Sequence, residues 1–445
     1  MGARTASVLF LAPEPVGPES AGPVHRSLKL AEVVAEHCQV TLAAPSPSTF
    51  PDGPFRTLET GPVHDQRLAR VLSEHDIAVV QTLPSPRQLL AALSHAPRLV
   101  VDLIAPLPLE AAELKSPARD AIARWRTREL VAHLAAADLV LCTTEKQRDL
   151  MLGVALVTRV LEGEAGPLSA QDRIAVVPYG VDDHPPRQTR AALRATDLVS
   201  DGDWLAIWAG GMWSWLDPLT AIKAVERLRP TRPDLKLVFA AFEHPLARQR
   251  EAHESLVAEA IGYTRDRSLD GMVIFRPRWL EKQDYYNHLL EADVGLSLHR
   301  PTLEAHFAWR ARVLDYLWAG LPVICTGGDT MSELVASEGL GRVVEPLDVG
   351  GCVDAVQQLT AGRRHRVDSR AALERFRWRD VAQPLVEYCL DPDSRPPRPR
   401  RNARILAARG YPAFFGSLYG SGGKAELLRA LGRRGFRVFR RGSLD

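Results

Sequence analysis

The chain has 445 residues and a mass of 49.1 kDa, with 46% hydrophobic residues, 25% charged residues and a formal net charge of +2. This balance excludes a disordered, collagen-like or disulfide-scaffold protein, and at about 150 residues per domain the length predicts two or three domains. No apolar run approaches the ~18–20 residues that span a bilayer, and the run from Val8 to Ala12 is too short for a signal-peptide core, so a cytoplasmic location is expected.

Short β-branched runs alternate with amphipathic stretches from the N-terminus onward. Strands are predicted at Ser7–Ala12, Gln39–Ala44, Ile77–Gln81, Arg98–Leu103, Asp138–Cys142 and Ile174–Pro178, with helices such as Val24–His37 and Arg119–Ala136 between them. Strand–helix alternation of this kind gives a parallel sheet covered on both faces. Residues 1–186 are therefore expected to form one domain. Residues 187–203, polar and poor in strand formers, read as a linker.

The alternation restarts at 204 and runs to 366. Strands are predicted at Trp204–Ala209, Leu235–Ala241, Met272–Arg276, Asp293–Leu298, Leu321–Cys325 and Arg342–Glu345. A single helix, Ser369–Leu390, is expected within a closing segment, 367–390, that packs back towards the first domain. Two doubly wound α/β domains in tandem enclose a cleft, and ligands bind such sheets beyond the carboxyl ends of the strands.

A basic Pro/Arg-rich tail, 391–445, completes the chain. Between Arg395 and Arg441 it carries thirteen Lys or Arg residues and one acid, Glu426. Glu426 to Arg441 reads either as a basic amphipathic helix lying on an anionic membrane or as a disordered solubilising tail. Five dispersed cysteines (Cys38, Cys142, Cys325, Cys352 and Cys389), with no CxxC pair, predict reduced, mostly buried thiols and no zinc site.

Two segments carry chemistry. In Trp208–Thr220 a strand runs into Gly210-Gly211 and then a helix, with Asp217 as its N-cap and Pro218 at its first position. Glycines there let backbone N–H groups approach a phosphate, although a tight turn around a buried Trp pair accounts for the same residues. In Leu303–Ile324 a helix is predicted from about Trp309 to Gly320, and Pro322 opens the next strand. Arg310 and Arg312 then fall in its first turn, where the macrodipole disfavours cations. Two such exceptions point to a bound anion, with Asp315 one turn along, placed to accept both hydroxyls of a ribose. The bland alternative is an Arg–Asp surface pair.

These segments, with Val8–Pro15, Gly22–Arg26, Lys146–Arg148 and Val176–Asp182, are similar to the retaining family-4 glycosyltransferases of the GT-B fold over residues 6–390. The resemblance implies transfer of a sugar from a nucleoside diphosphate-sugar with retention and without a metal. The acceptor it implies is a glycan or lipid-linked glycan, with cell-surface polysaccharide and small metabolites also open. It places Gly22 and Arg26 at the donor phosphates, Asp102, at the end of the fourth predicted strand, near the reacting sugar, and Trp279 against the base. Asp102 also suits a helix cap, and Trp279 a core position. Arg310 and Arg312, with Gly210 and Gly211, take the diphosphate.

The chain departs from the family pattern at two places. Asp315 stands for the ribose-binding glutamate, while Phe307 occupies the position of the first glutamate, leaving Glu304 as a substitute carboxylate. The Arg and Lys that commonly follow the first strand of the second domain are also missing beside Gly210-Gly211. Thr144 is expected to cap a helix from Glu145 whose Lys146 and Arg148 meet an anionic acceptor or are solvated. Asp201-Gly202-Asp203 resembles a metal–diphosphate motif but lies in the linker, and Gly420–Lys424 lacks the spacing of a phosphate loop. Two rival functions remain: a non-catalytic nucleotide-sugar-binding scaffold, and nucleic-acid binding through the tail, which is not expected because few aromatics interleave with its arginines.

Overall fold

The computed structural model describes residues 5–61, 66–81, 86–158, 172–194, 196, 198–243, 254–362, 364 and 366–394. The basic segment from 395 onward, including Gly420–Lys424 and Glu426–Arg441, lies outside the described residues.

Two parallel sheets organise the chain. The first contains β1 (Ser7–Leu11), β2 (Gln39–Pro45), β3 (Arg56–Thr60), β4 (Ile77–Val80), β5 (Arg98–Asp102), β6 (Leu139–Cys142) and β7 (Ile174–Val176), in the order β3-β2-β1-β4-β5-β6-β7. The second contains β8 (Trp204–Ala209), β9 (Leu235–Ala240), β10 (Val273–Arg276), β11 (Val294–Ser297), β12 (Val323–Thr326) and β13 (Gly341–Val344), in the order β10-β9-β8-β11-β12-β13. Every pairing between these strands is parallel.

The central strands are almost continuously apolar because helices cover both faces of each sheet. Val8 and Phe10 of β1 enter one core and Leu9 the other. In β8, Ala206 and Trp208 point one way while Leu205, Ile207 and Ala209 point the other. The one strand absent from the sequence-based prediction is β3. It is a polar edge strand (RTLET) with little apolar periodicity to announce it. All five cysteines are free and buried.

The closing segment differs from its prediction. In place of one helix, Ser369–Leu390 forms helices at Arg370–Leu373, Trp378–Val381 and Gln383–Leu390, with a 3-10 turn at Glu374–Phe376. Arg377 is extended (φ −63°, ψ 140°), because residues 376–378 bridge to Val181: Val181 N–H donates to Phe376 O (2.7 Å) and Trp378 N–H to Val181 O (3.1 Å). Pro384 supplies no N–H in the first turn of the last helix. Gly180 makes the crossing possible, since a Cβ there would lie 2.6 Å from the Trp378 ring. Beyond the crossing, Leu385, Val386 and Cys389 pack with Val8 and Phe10 on the first sheet.

Residues 187–203 contain no helix or strand among their described members, but they are fastened to the second lobe. The Glu291 carboxylate accepts the backbone N–H groups of Ala192 (2.7 Å), Leu193 (2.6 Å) and Arg194 (2.7 Å), and Leu193 and Val199 are buried in that lobe's core.

Candidate active site

Strand order reverses between β1 and β4 in the first sheet and between β8 and β11 in the second. At such points, connections leave in opposite directions and open a crevice beyond the strand ends. In the second lobe, β8 and β11 pair only at Ala206–Val294 and Ile207–Gly295. Beyond that they part, and the Tyr316 hydroxyl fills the gap, accepting from Ala209 N–H (2.8 Å) and donating to Leu296 O (3.2 Å).

The Gly-Gly turn forms one wall of this crevice. Gly210 has φ +96°, a conformation that side chains oppose, and a Cβ on Gly211 would lie 2.7 Å from Trp213 Nε1. Trp213 stacks on Trp215 with ring centres 5.6 Å apart. Asp217 caps the helix Pro218–Leu228 by accepting from Thr220 N–H (3.1 Å), as its sequence position predicts. Asp217 N–H donates to Leu298 O (3.0 Å), tying the turn to the end of β11.

The opposite wall is Leu303–Gly320. It contains two helices, Leu303–Phe307 and Ala311–Trp318, and Arg310 is the N-cap of the second rather than a residue of its first turn. Gly320 ends that helix at φ +75°. The two arginines, expected to share one anion, separate. Arg310 is buried and makes a two-pronged pair with Glu304 (3.1 and 2.8 Å), with Asp329 Oδ2 at 3.6 Å. The anions at this helix start therefore include the protein's own Glu304 and Asp329, and His299 Nε2 lies 3.4 Å from the same Asp329 oxygen.

Arg312 is different. Its Nη2 donates to Gly211 O (2.6 Å), its guanidinium lies 5.0 Å from the Trp208 ring centre, and its buried Nη1 has no partner. No carboxylate pairs with it among the described residues. Burial lowers its pKa, and the nearby Arg310 adds to the effect.

Asp315, three residues on, accepts from Lys282 Nζ (3.0 Å) and from the Tyr286 hydroxyl (3.1 Å). Lys282 opens the helix Lys282–Glu291 and lies over the rings of Tyr285 and Tyr286. It also faces the first lobe: burial, then Lys282 and Lys29, hold the His25 pKa well below its usual value. Lys282 and Tyr286 were not among the residues singled out from the sequence. Lys282 carried the signal that singled out Arg312, a cation in the first turn of a helix. Trp279, half-buried, sits on the loop before this helix, beyond the end of β10.

In the first lobe, Gly22 opens the helix Gly22–Ala35. The preceding Ala21 gives no side-chain cap and Pro23 has no N–H. Gly22 is exposed, and a Cβ on it would stand 3.6 Å from the Tyr179 hydroxyl. Arg26 and Asp102 are buried against each other, at 2.7 Å (Nε–Oδ2) and 2.9 Å (Nη2–Oδ1). Arg26 also donates to Pro178 O (2.8 Å) and Val177 O (2.7 Å) and lies under the Tyr179 ring. Asp102 ends β5 rather than a fourth strand, because β3 precedes it. The pair ties the Gly22–Ala35 helix to β5 and to the segment after β7 that carries Tyr179.

The lobes also touch directly. Thr144 caps the helix Glu145–Val157, as predicted, through Gln147 N–H (3.0 Å). Lys146, expected to be solvated or to meet an acceptor, instead pairs with Glu333 of the other lobe (2.8 Å), and Gln147 Nε2 donates to Phe307 O (2.9 Å). Glu110, on the helix Leu107–Ala112, faces Glu304 across the junction. Burial, and then the Glu304 charge, push its carboxyl up to about 7, with Arg310 and Arg126 pulling the other way. The folded protein thus holds this proton more tightly than the unfolded chain. The stabilisation is complete below the ordinary glutamate range and is lost as pH rises through about 7. Wild type should therefore lose melting temperature relative to Glu110→Gln between about pH 6 and pH 8. Parallel melting profiles across that range would remove Glu110 from this role.

Among the described residues no three His, Cys, Asp or Glu side chains converge to hold a metal ion, and no helix is long and apolar enough to cross a membrane. Asp203 of the Asp201–Asp203 motif instead accepts from Ser200 N–H (2.8 Å) in a turn.

No protein-family profile and no curated protein matches the sequence. Solved structures do match in three dimensions. The Anabaena HepE protein in complex with UDP and glucose superposes with a TM-score of 0.57 at 14% identity, over 86% of this chain and 98% of that one. The UDP-forming α,α-trehalose-phosphate synthase from Burkholderia vietnamiensis gives 0.59 at 12% identity, over 87% and 99%. The sucrose-phosphate synthase from Thermosynechococcus elongatus gives 0.53 at 16%, over 93% and 100%. The fold is GT-B. The two segments that cross between the lobes meet at Gly180 and Trp378.

Proposed function

We propose that this GT-B protein is a glycosyltransferase of the retaining, family-4 type, moving a sugar from a nucleoside diphosphate donor to a glycan or lipid-linked acceptor. One observation carries the reading: Arg312 is a half-buried cation whose inner Nη1 has no partner and which meets no carboxylate among the described residues, placed at the strand-order reversal beside Gly210-Gly211. A leaving diphosphate supplies the missing negative charge, and electrostatic stabilisation of that group is the main task of such an enzyme. The uncapped start of the Gly22 helix adds N–H groups from the opposite lobe.

In this reading Arg312 is the catalytic cation, Lys282 a second cation at the donor, and Asp315 the ribose acceptor, handed from Lys282 and Tyr286 to the ligand. Arg310 acts by holding Glu304 and Asp329 in place. Arg26 and Asp102 position Tyr179 and the Gly22 helix, since both Asp102 oxygens are committed to Arg26 and the carboxylate is only 2% exposed. An Asp102 so engaged is no nucleophile, which suits a front-face displacement assisted by the donor phosphate. Trp279 stacks on the base. The complexes of neighbouring structures with UDP and glucose and with UDP-2-fluoro glucose favour a uridine donor. The protein works in the cytoplasm, with its basic C-terminal segment at an anionic membrane surface.

A thermal-shift panel of UDP, GDP, ADP and dTDP, with and without EDTA, tests the reading. A base-selective, EDTA-insensitive shift that vanishes in Asp315→Ala is expected, and no shift at millimolar nucleotide overturns it. Phe307, where the family has a carboxylate, favours a second reading as a nucleotide-sugar-binding scaffold. Nucleotide binding without donor hydrolysis or transfer would select that alternative.

A further inference from the structure

A cavity of about 330 Å³ lies in the second lobe, away from the crevice, lined in part by Gln188, Arg194, Glu291, Asp293, Arg364 and Arg366. Asp293 immediately precedes β11; its N–H donates to Leu205 O at the start of β8 and its carboxylate accepts Leu205 N–H, so the cavity sits at the amino ends of these strands. It is at the far end of the helix Lys282–Glu291 from Lys282 and the crevice, about 13–14 Å along the axis for nine steps of ~1.5 Å.

Three guanidinium groups face two carboxylates, and the carboxylates are already engaged. Glu291 accepts three backbone N–H groups and Gln188 Nε2 (3.0 Å). Asp293 accepts Leu205 N–H (2.8 Å), Arg194 Nη2 (3.2 Å) and Arg364 Nε (3.2 Å). Arg194 is itself saturated by carbonyls of Ser200, Asp203 and Glu291 in addition to Asp293. Arg364 and Arg366 keep donors to spare. Arg364 otherwise reaches Asp203 O, and the one hydrogen bond given by Arg366 among the described residues is to Leu290 O. Desolvation of its guanidinium end lowers the Arg366 pKa; Asp293 pulls the other way and the neighbouring Arg194 adds to the lowering.

We propose that this cavity binds a small phosphate-bearing anion, held by Arg364 and Arg366. Planar guanidinium groups match phosphate oxygens two at a time, and the volume lies at the lower end of the roughly 300–1,000 Å³ typical of ligand pockets. An anion there joins the segment 187–203, which carries Gln188 and Arg194, to the segment 361–367 of the second lobe. It thereby stiffens the connection between the lobes.

The test uses the full chain carrying Arg312→Gln, which silences the crevice, titrated with inorganic pyrophosphate against chloride at matched ionic strength. Saturable stabilisation is expected, weakened about tenfold by adding Arg366→Gln or Arg364→Gln, as for loss of a charge-assisted pair. Both arginines are exposed, so the variants should fold. No pyrophosphate-specific stabilisation, or stabilisation that both variants retain, overturns the proposal. Phosphatidylglycerol vesicles form a second arm. Binding lost in the same two variants would make a lipid headgroup the source of the phosphate, and unchanged binding a soluble ester. The outcome is independent of the nucleotide site: if UDP binding fails in wild type while Arg366→Gln still removes the pyrophosphate response, the proposed function falls and this site stands.

Discussion

Arg312→Gln should weaken nucleoside diphosphate binding by about two orders of magnitude and leave the fold at least as stable as wild type. A hydrogen bond to a charged group contributes roughly 1.5–3 kcal/mol, and each 1.4 kcal/mol is a factor of ten in affinity. Folding should not suffer, because the one hydrogen bond that Arg312 makes among the described residues is to Gly211 O. Its buried Nη1 is unsatisfied and its charge has no carboxylate partner among the described residues. Removing a half-buried charge without a carboxylate partner relieves desolvation, so the melting temperature should hold or rise. Arg310→Gln should do the reverse. It strands Glu304 and Asp329 without their cation, and breaking a buried pair costs about 3–5 kcal/mol. Calorimetric UDP titration and thermal melts of both variants check this opposition. Unimpaired UDP affinity in Arg312→Gln, or a collapse of its melting temperature, would remove Arg312 from the donor site.

The second large effect is expected at Gly295. This residue is buried in β11, and a Cβ on it would lie 2.4 Å from Tyr316 Cδ2 and 2.6 Å from Cγ. Tyr316 cannot yield without cost. Its ring is wholly buried, and its hydroxyl satisfies both Ala209 N–H and Leu296 O where β8 and β11 part. Overpacking a core typically costs 1–3 kcal/mol, and stranding a buried donor and acceptor adds roughly 1–3 kcal/mol each. Gly295→Ala should therefore destabilise the second lobe by about 3 kcal/mol or more. Displacing Tyr316 also shifts Arg312 and Asp315, which share its helix, so nucleotide affinity should fall in the molecules that still fold. Denaturant titrations report the first effect, and a midpoint within error of wild type would contradict it.

Most of the architecture is legible in the sequence. Twelve of the thirteen strands were predicted close to their observed positions, because parallel strands buried on both faces announce themselves as short apolar runs. The exception, β3, is a polar edge strand that takes its place from pairing with β2. The caps at Thr144 and Asp217 and the terminating Gly320 were also legible, since each depends on residues within one helical turn. The closing helix was misread for the complementary reason. Its break at Arg377 is imposed by Val181, nearly two hundred residues earlier.

Chemical roles divide along the same line. Local sequence determined that Arg310 and Arg312 would stand at the start of a helix, an unusual place for cations, and that Asp315 would follow within a turn. It did not determine which arginine is available to a ligand. Arg310 is neutralised by Glu304, six residues upstream, and by Asp329 from the start of another helix. Arg312 reaches Gly211, 101 residues away, and finds a carbonyl instead of a carboxylate. Likewise Arg26 and Asp102, 76 residues apart, become a buried pair only when β5 is laid beside β4 and the Gly22 helix packs across the sheet. Periodicity and capping are properties of a few neighbouring residues, so local sequence sets most of the elements and the two-lobed α/β class, but not the polar edge strand β3 or the break at Arg377. Charge pairing and desolvation depend on which distant groups meet, so the tertiary structure alone decided which cations are spent within the protein and which remain for a ligand.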